Sequence, residues 1–115
     1  MNRERALKIV LAVVGLIFVA AAYPLVVFFR QAPDLSMMFS LYVTLGILLL
    51  LAVRNPSASR SVIAFTAWSS FAHALVMGLQ ALLHIVARVE LIGVAFLLLI
   101  GVVLVALAPS RAAAG

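Results

Sequence analysis

The sequence predicts an all-α polytopic membrane protein, a four-transmembrane-helix bundle with short loops and both termini cytoplasmic. Three observations predict it. The 115 residues are 68% hydrophobic and 10% charged, with a mean hydropathy of +1.35. A soluble domain is about 45–50% apolar and about 25% charged, so this chain could not cover its surface with polar groups in water. The apolar residues fall into four runs, each close to the roughly 20 residues that cross hydrocarbon as a helix. The basic residues sit at the ends of those runs, where they meet lipid phosphates and set topology.

Four spans take about 80 residues, which leaves about 35 for ends and loops. Residues 1–115 therefore read as one transmembrane domain with no space for a soluble one. The chain has no Cys, which excludes disulfides and thiolate metal sites. The net charge of +5 points to a lipid bilayer rather than to nucleic acid, because the cations flank apolar runs.

The first helix is expected over roughly 7–29. Its basic start, Arg3-Glu4-Arg5-Ala6-Leu7-Lys8, and Ala20-Ala21-Ala22 also resemble a signal peptide and its cleavage site. The apolar run continues past the alanines through Leu25 to Phe29, so an uncleaved helix is the better reading. Pro24 lacks an N–H and frees a carbonyl one turn back, which predicts a bend. Pro33 stops the first helix and Asp34 can cap the second, expected over roughly 35–53. Asn55 as N-cap with Pro56 at the first helical position starts the third, over roughly 56–87. Arg88-Val89-Glu90 makes a very short turn, and the fourth helix runs over roughly 90–108 until Pro109 ends it.

With four spans, one side collects Arg3, Arg5, Lys8, Arg54, Arg60 and Arg111, and the other only Arg30 and Arg88. Lys and Arg accumulate on the cytoplasmic side. That bias predicts a multi-pass protein of the inner (plasma) membrane. Arg3, Arg5, Lys8, Arg54 and Arg60 are its topology anchors and candidate contacts for anionic lipid.

Polar side chains concentrate on the third helix. Thr66, Ser70, His73, Met77, Gln80 and His84 follow at helical spacing along one side. Ala67, Ser70, Ala74, Gly78 and Ala81 form a small-residue face beside them, which permits close helix approach. This helix is expected to be central, with both faces against protein and Trp68 between helices. By a rise of about 1.5 Å per residue, Gln80 and His84 lie in the outer half. Tyr23 and Tyr42 fall at the same level, with Glu90 at the boundary. Tyr23, Tyr42, His73, Gln80, His84 and Glu90 are thus the candidate polar pocket.

Each has a plainer reading. Hydrocarbon disfavours a charged imidazole, so His73 is expected to be a neutral, hydrogen-bonded interhelix residue rather than a proton relay or haem ligand. His84 can simply meet water at the interface. Eleven residues along one helix, about 16 Å, separate the two histidines. They cannot share a metal ion, and no metal site is expected. No acidic partner accompanies the serines and histidines, so no catalytic residue is assigned and an enzyme is not favoured.

Leu41-Tyr42-Val43-Thr44-Leu45-Gly46, then Ala52-Val53-Arg54-Asn55-Pro56, Arg60, Phe65-Thr66-Ala67-Trp68-Ser69-Ser70, His73 and Gln80 resemble an uncharacterised family of small bacterial four-helix membrane proteins, a domain of unknown function. The resemblance covers most of the chain, although the segment between the first two helices is shorter than in such a family. More distantly the chain is similar to DoxX-like proteins, which implies an association with quinone or respiratory redox chemistry.

Three functions remain. The first is a non-enzymatic accessory protein whose partners are other membrane proteins or further copies of itself. The second is a binder of a small amphipathic molecule, quinone or lipid, in the outer-half pocket; quinone is the one cofactor this reading admits. The third is a small transporter. Small multidrug resistance proteins have this length but need an acidic residue within the first span, and here Glu4 precedes it and the next acid is Asp34.

Overall fold

The computed structural model describes residues 2–109 and is all-helical. Its elements are α1 (Arg3–Val19), α2 (Ala22–Val27), α3 (Pro33–Ala52), a 3-10 turn (Pro56–Ser59), α4 (Arg60–Leu82) and α5 (Glu90–Leu107). Among the described residues, four helical stretches are long and apolar enough to cross a membrane: Arg3–Val27, Pro33–Ala52, Pro56–Leu82 and Glu90–Leu107. The shortest, at 18 residues, spans about 27 Å at 1.5 Å per residue, close to the hydrocarbon thickness of about 30 Å. Arg111, counted among the basic residues above, and the tail from Ser110 onward lie outside the described residues.

The chain divides into two compact units, residues 2–62 with Pro109, and Ile63–Ala108. The first is a helical hairpin. Asn2 starts it, its Oδ1 accepting from the Arg5 backbone N–H at 2.7 Å, which satisfies one of the open donors of a helix N-terminus. The first span is interrupted at Ala20–Ala21, between α1 and α2. The cause is Pro24, which has no N–H to offer the Ala20 carbonyl. That carbonyl accepts instead from Tyr23 N at 3.1 Å, and the Phe18 carbonyl from Ala21 N at 3.0 Å, so the chain tightens for one turn. The helix is therefore interrupted one turn before Pro24, where the sequence predicts a bend, and it ends at Val27 rather than Phe29.

Pro33 is the first residue of α3 and Asp34 lies in its first turn. Asp34 is thus inside the helix rather than at its cap: Ala32 occupies the N-cap, with no side-chain cap bond. Pro suits the first helical position because its missing N–H would have no partner there. The Ser36 hydroxyl donates to the Leu25 carbonyl at 2.8 Å and ties α3 to the last turn of α2. Where α1 and α3 cross, Gly15 meets Gly46. A methyl group on Gly46 would stand 2.8 Å from the Gly15 carbonyl oxygen, 2.8 Å from Val19 N and 2.9 Å from Phe18 Cβ. One on Gly15 would stand 2.9 Å from Leu50 Cδ2. Backbone touches backbone here, the approach that small residues allow between helices in lipid. Leu7, Leu11, Val14, Phe18, Leu49 and Ala52 are buried in this unit.

The second unit is also a hairpin. Gly78 faces Val94, Gly93 faces the Met77 methyl and Gly101 faces the Phe71 ring. From Phe71 to Gly78 along α4 the partner on α5 moves back from Gly101 to Val94, so the pair is antiparallel. Ile63, Thr66, Ala67, Ser70, Ala74 and Ala81 form the buried side of α4, which agrees with the small-residue face read from sequence except at Gly78. The expectation that both faces of this helix meet protein is not met. Phe65, Trp68, Leu75, Val76, Leu79 and Leu82 are exposed, Trp68 at 63%. Apolar side chains on an outward face need no protein cover when the solvent is hydrocarbon.

Helix α4 ends at Leu82 rather than at Ala87, and His84 accounts for the difference. His84 has φ 61°, the one positive φ outside glycine among the described residues. Its N–H bonds the Ala81 carbonyl at 3.2 Å and that of Ile85 bonds the Gln80 carbonyl at 2.8 Å. This pair of bonds around a left-handed residue is the Schellman termination, usually made by Gly. The third span therefore runs over Pro56–Leu82, and residues 83–89 form the turn into α5.

Candidate functional site

The six residues of the expected polar pocket divide between the units. In the first, Tyr42 on α3 is half-buried, its ring edge-on to Phe18 with centroids 4.9 Å apart at 83°, a favourable aromatic geometry. Tyr23 on α2 is 78% exposed. In the second, His73 and Gln80 lie half-buried on α4, while His84 and Glu90 are exposed at either end of the connecting turn. His84 is off the helix. Its separation from His73 is therefore not a distance along one helix, and the stripe of polar residues ends at Gln80. Glu90 opens α5, where a carboxylate meets the positive end of the helix dipole.

The hydroxyls of the spans bond locally. Ser40 donates to the Met37 carbonyl at 2.6 Å, Thr44 to that of Ser40 at 3.0 Å, and Ser69 to that of Thr66 at 3.3 Å. These are bonds to the preceding turn of the same helix. Among the described residues no buried side-chain nitrogen or oxygen lacks a hydrogen-bond partner. Thr66 and Ser70, 0% and 3% exposed, are thus accommodated inside the structure.

The basic anchors behave differently from one another. Arg3, Arg5 and Arg54 are exposed, Lys8 pairs with Glu4 at 3.7 Å one turn earlier, and Arg60 is half-buried with its Nε donating to the Pro109 carbonyl at 3.2 Å. Arg60 therefore holds the chain beyond α5 as well as carrying charge at the span end. No group of three or more His, Asp or Glu side chains close enough to hold a metal ion occurs among the described residues.

A groove that sequence reading did not find lies in the first unit beside the α2–α3 connection. Leu25, Phe29, Pro33, Ser36, Met37 and Ser40 line a cavity of about 390 Å³. A second depression, lined by Val26, Val27, Phe29, Arg30 and Gln31, shares Phe29 with it. The sequence did hold a signal, Ser36 and Ser40 one turn apart around Met37 and just after Pro33. What it could not show is that the chain unwinds after Val27, so that Phe29 and Leu25 wall the same hollow.

These features define a class: a small all-helical protein with four membrane-spanning-length helices, whose buried polar groups are satisfied internally. The chain belongs to the Family of unknown function (DUF6632), whose model matches residues 2–114. No curated protein and no solved structure matches it significantly.

Proposed function

We propose that this chain is a non-enzymatic accessory protein of a membrane assembly, standing in the inner (plasma) membrane with both termini in the cytoplasm. The supporting observation is where the polar groups go. Ser36, Ser40, Thr44 and Ser69 bond backbone carbonyls of their own hairpin, and none of the buried side-chain polar atoms among the described residues is left open. Groups so engaged, three within their own helix and Ser36 between α3 and α2, satisfy the fold's own hydrogen bonds rather than present chemistry. What the chain offers outward is apolar, from Phe65 and Trp68 on α4 to Ile92 and Leu99 on α5, a surface suited to lipid and to neighbouring helices.

The test is purification of tagged chain in a gentle detergent after crosslinking in cells, with quantitative mass spectrometry. A membrane protein in constant ratio to the chain, or a discrete homo-oligomer, is the expected result; monomer with lipid alone would overturn the accessory reading. Orientation is checked separately. The chain has no Cys, so single cysteines report cleanly. An impermeant thiol reagent applied to intact cells is expected to label Gln31→Cys and to leave Ser57→Cys unlabelled, and the reverse pattern would refute the basic-residue argument.

The groove favours a second reading, a binder of a small amphipathic molecule. Its walls are Leu25, Phe29, Pro33 and Met37, with Arg30 at the adjoining depression, so an apolar body would lie in the groove and a polar end at its mouth. The distant DoxX-like resemblance favours a quinone as that molecule, and the arginine favours a lipid.

A further inference from the structure

We propose that the depression lined by Arg30 is the headgroup site for an anionic phospholipid, its phosphate on the guanidinium and one acyl chain passing Phe29 into the adjoining groove. The proposal rests on the second reading above and names its ligand class.

Three observations carry it. The first is charge. Val26, Val27, Phe29, Arg30 and Gln31 line the depression, so Arg30 is its one charged group, and no carboxylate lines the groove either. The second is open donors. Arg30 and Gln31 are exposed, and among the described residues neither their side chains nor their backbone N–H groups have a hydrogen-bond or ion-pair partner. The third is position. The 20 residues of Pro33–Ala52 span about 30 Å, the thickness of the hydrocarbon, so the connection that precedes them stands at the level of the headgroups. Beyond Arg30 the walls turn apolar, with Phe29 common to both hollows. The groove's two hydroxyls are engaged within the chain, Ser36 with the Leu25 carbonyl and Ser40 with the Met37 carbonyl. An occupant therefore needs an anionic end and a long apolar body, which excludes a sugar or a nucleotide.

The lone cation selects the headgroup. A guanidinium presents forked donors that match phosphate oxygens. A zwitterionic headgroup brings an ammonium with its phosphate, and that ammonium finds no carboxylate in either lining. A headgroup of phosphate and hydroxyls keeps its full negative charge for Arg30, and the Gln31 amide can bond its hydroxyls.

Native mass spectrometry of the full chain, delipidated and then incubated in micelles with equal amounts of palmitoyl-oleoyl phosphatidylglycerol and phosphatidylcholine, tests this on the first lipid retained. Wild type is expected to favour the glycerol lipid by about threefold, the scale of one exposed charge pair. Arg30→Gln is expected to remove most of that preference. Arg88→Gln, which deletes an equally exposed charge from the α4–α5 turn, is expected to keep it. Equal retention by wild type, an undiminished preference in Arg30→Gln or the same loss in both variants would each overturn the headgroup assignment. Ser40→Phe fills the groove without touching Arg30, with helicity checked by circular dichroism. It is expected to lower retention of both lipids. If it does so while Arg30→Gln leaves the preference unchanged, the groove reading stands and the headgroup assignment falls. If it leaves retention unchanged, the groove reading falls, and the path of the acyl chain with it.

Discussion

A methyl group added at Gly46 has nowhere to go. At its ideal position it stands 2.8 Å from both the Gly15 carbonyl oxygen and Val19 N. Ordinary contact begins near 3.4 Å, so α1 and α3 must separate by roughly 0.6 Å, and the obstructing atoms are backbone that cannot rotate aside. Overpacking of this kind costs about 1–3 kcal/mol. Against it stands the helix-propensity gain of replacing Gly by Ala, about 1 kcal/mol. Gly78 supplies the internal control, since a methyl there would sit 3.7 Å from Val94 Cγ1 in ordinary contact. It receives the propensity gain with no clash. Gly46→Ala is thus expected to be neutral to about 2 kcal/mol destabilised and Gly78→Ala to be up to about 1 kcal/mol stabilised. Unfolding by denaturing detergent, followed by circular dichroism, measures both. A Gly46→Ala protein as stable as Gly78→Ala would show that the two backbones are not in contact and that the reasoning is wrong.

Two further substitutions probe the second unit. At Gly101 an added methyl would meet the Phe71 ring, 2.7 Å from Cζ, so with the same propensity gain set against the overpacking Gly101→Ala is expected to be neutral to about 2 kcal/mol destabilised, and Phe71→Leu should relieve part of that cost. A double-mutant cycle with no coupling between the two positions would refute the contact. His84 carries the penalty of a left-handed backbone, roughly 1–2 kcal/mol for a non-glycine residue, so His84→Gly is expected to raise the unfolding midpoint and His84→Val to lower it. The opposite order would mean that α4 does not end by this termination.

Sequence alone determined that the chain is helical, that it holds four helical stretches long and apolar enough to span a membrane and roughly where each lies among the described residues, because lipid as solvent demands runs of about 20 apolar residues whose backbone bonds close within the helix. It also determined the interruption before Pro24 and that helical structure resumes at Pro56, since proline acts through its own missing N–H, although Pro56–Ser59 is a 3-10 turn without a side-chain cap from Asn55 and α4 itself begins at Arg60. Tertiary structure decided the rest. The touching pair Gly15 and Gly46 lies 31 positions apart, and periodicity along one helix cannot say which glycine faces which. Gly78, read as a point of close approach, has space for a methyl, while Gly101 does not. His84 ends α4 in a conformation that glycine usually takes, and no local pattern announces a histidine there. The candidate groove appears only because the chain unwinds between Val27 and Pro33 and Ser36 reaches back to Leu25. Helix-forming tendency and hydrophobic length are local properties of a chain, whereas which small residues meet, and which hollow remains between two helices, depends on how their surfaces interlock.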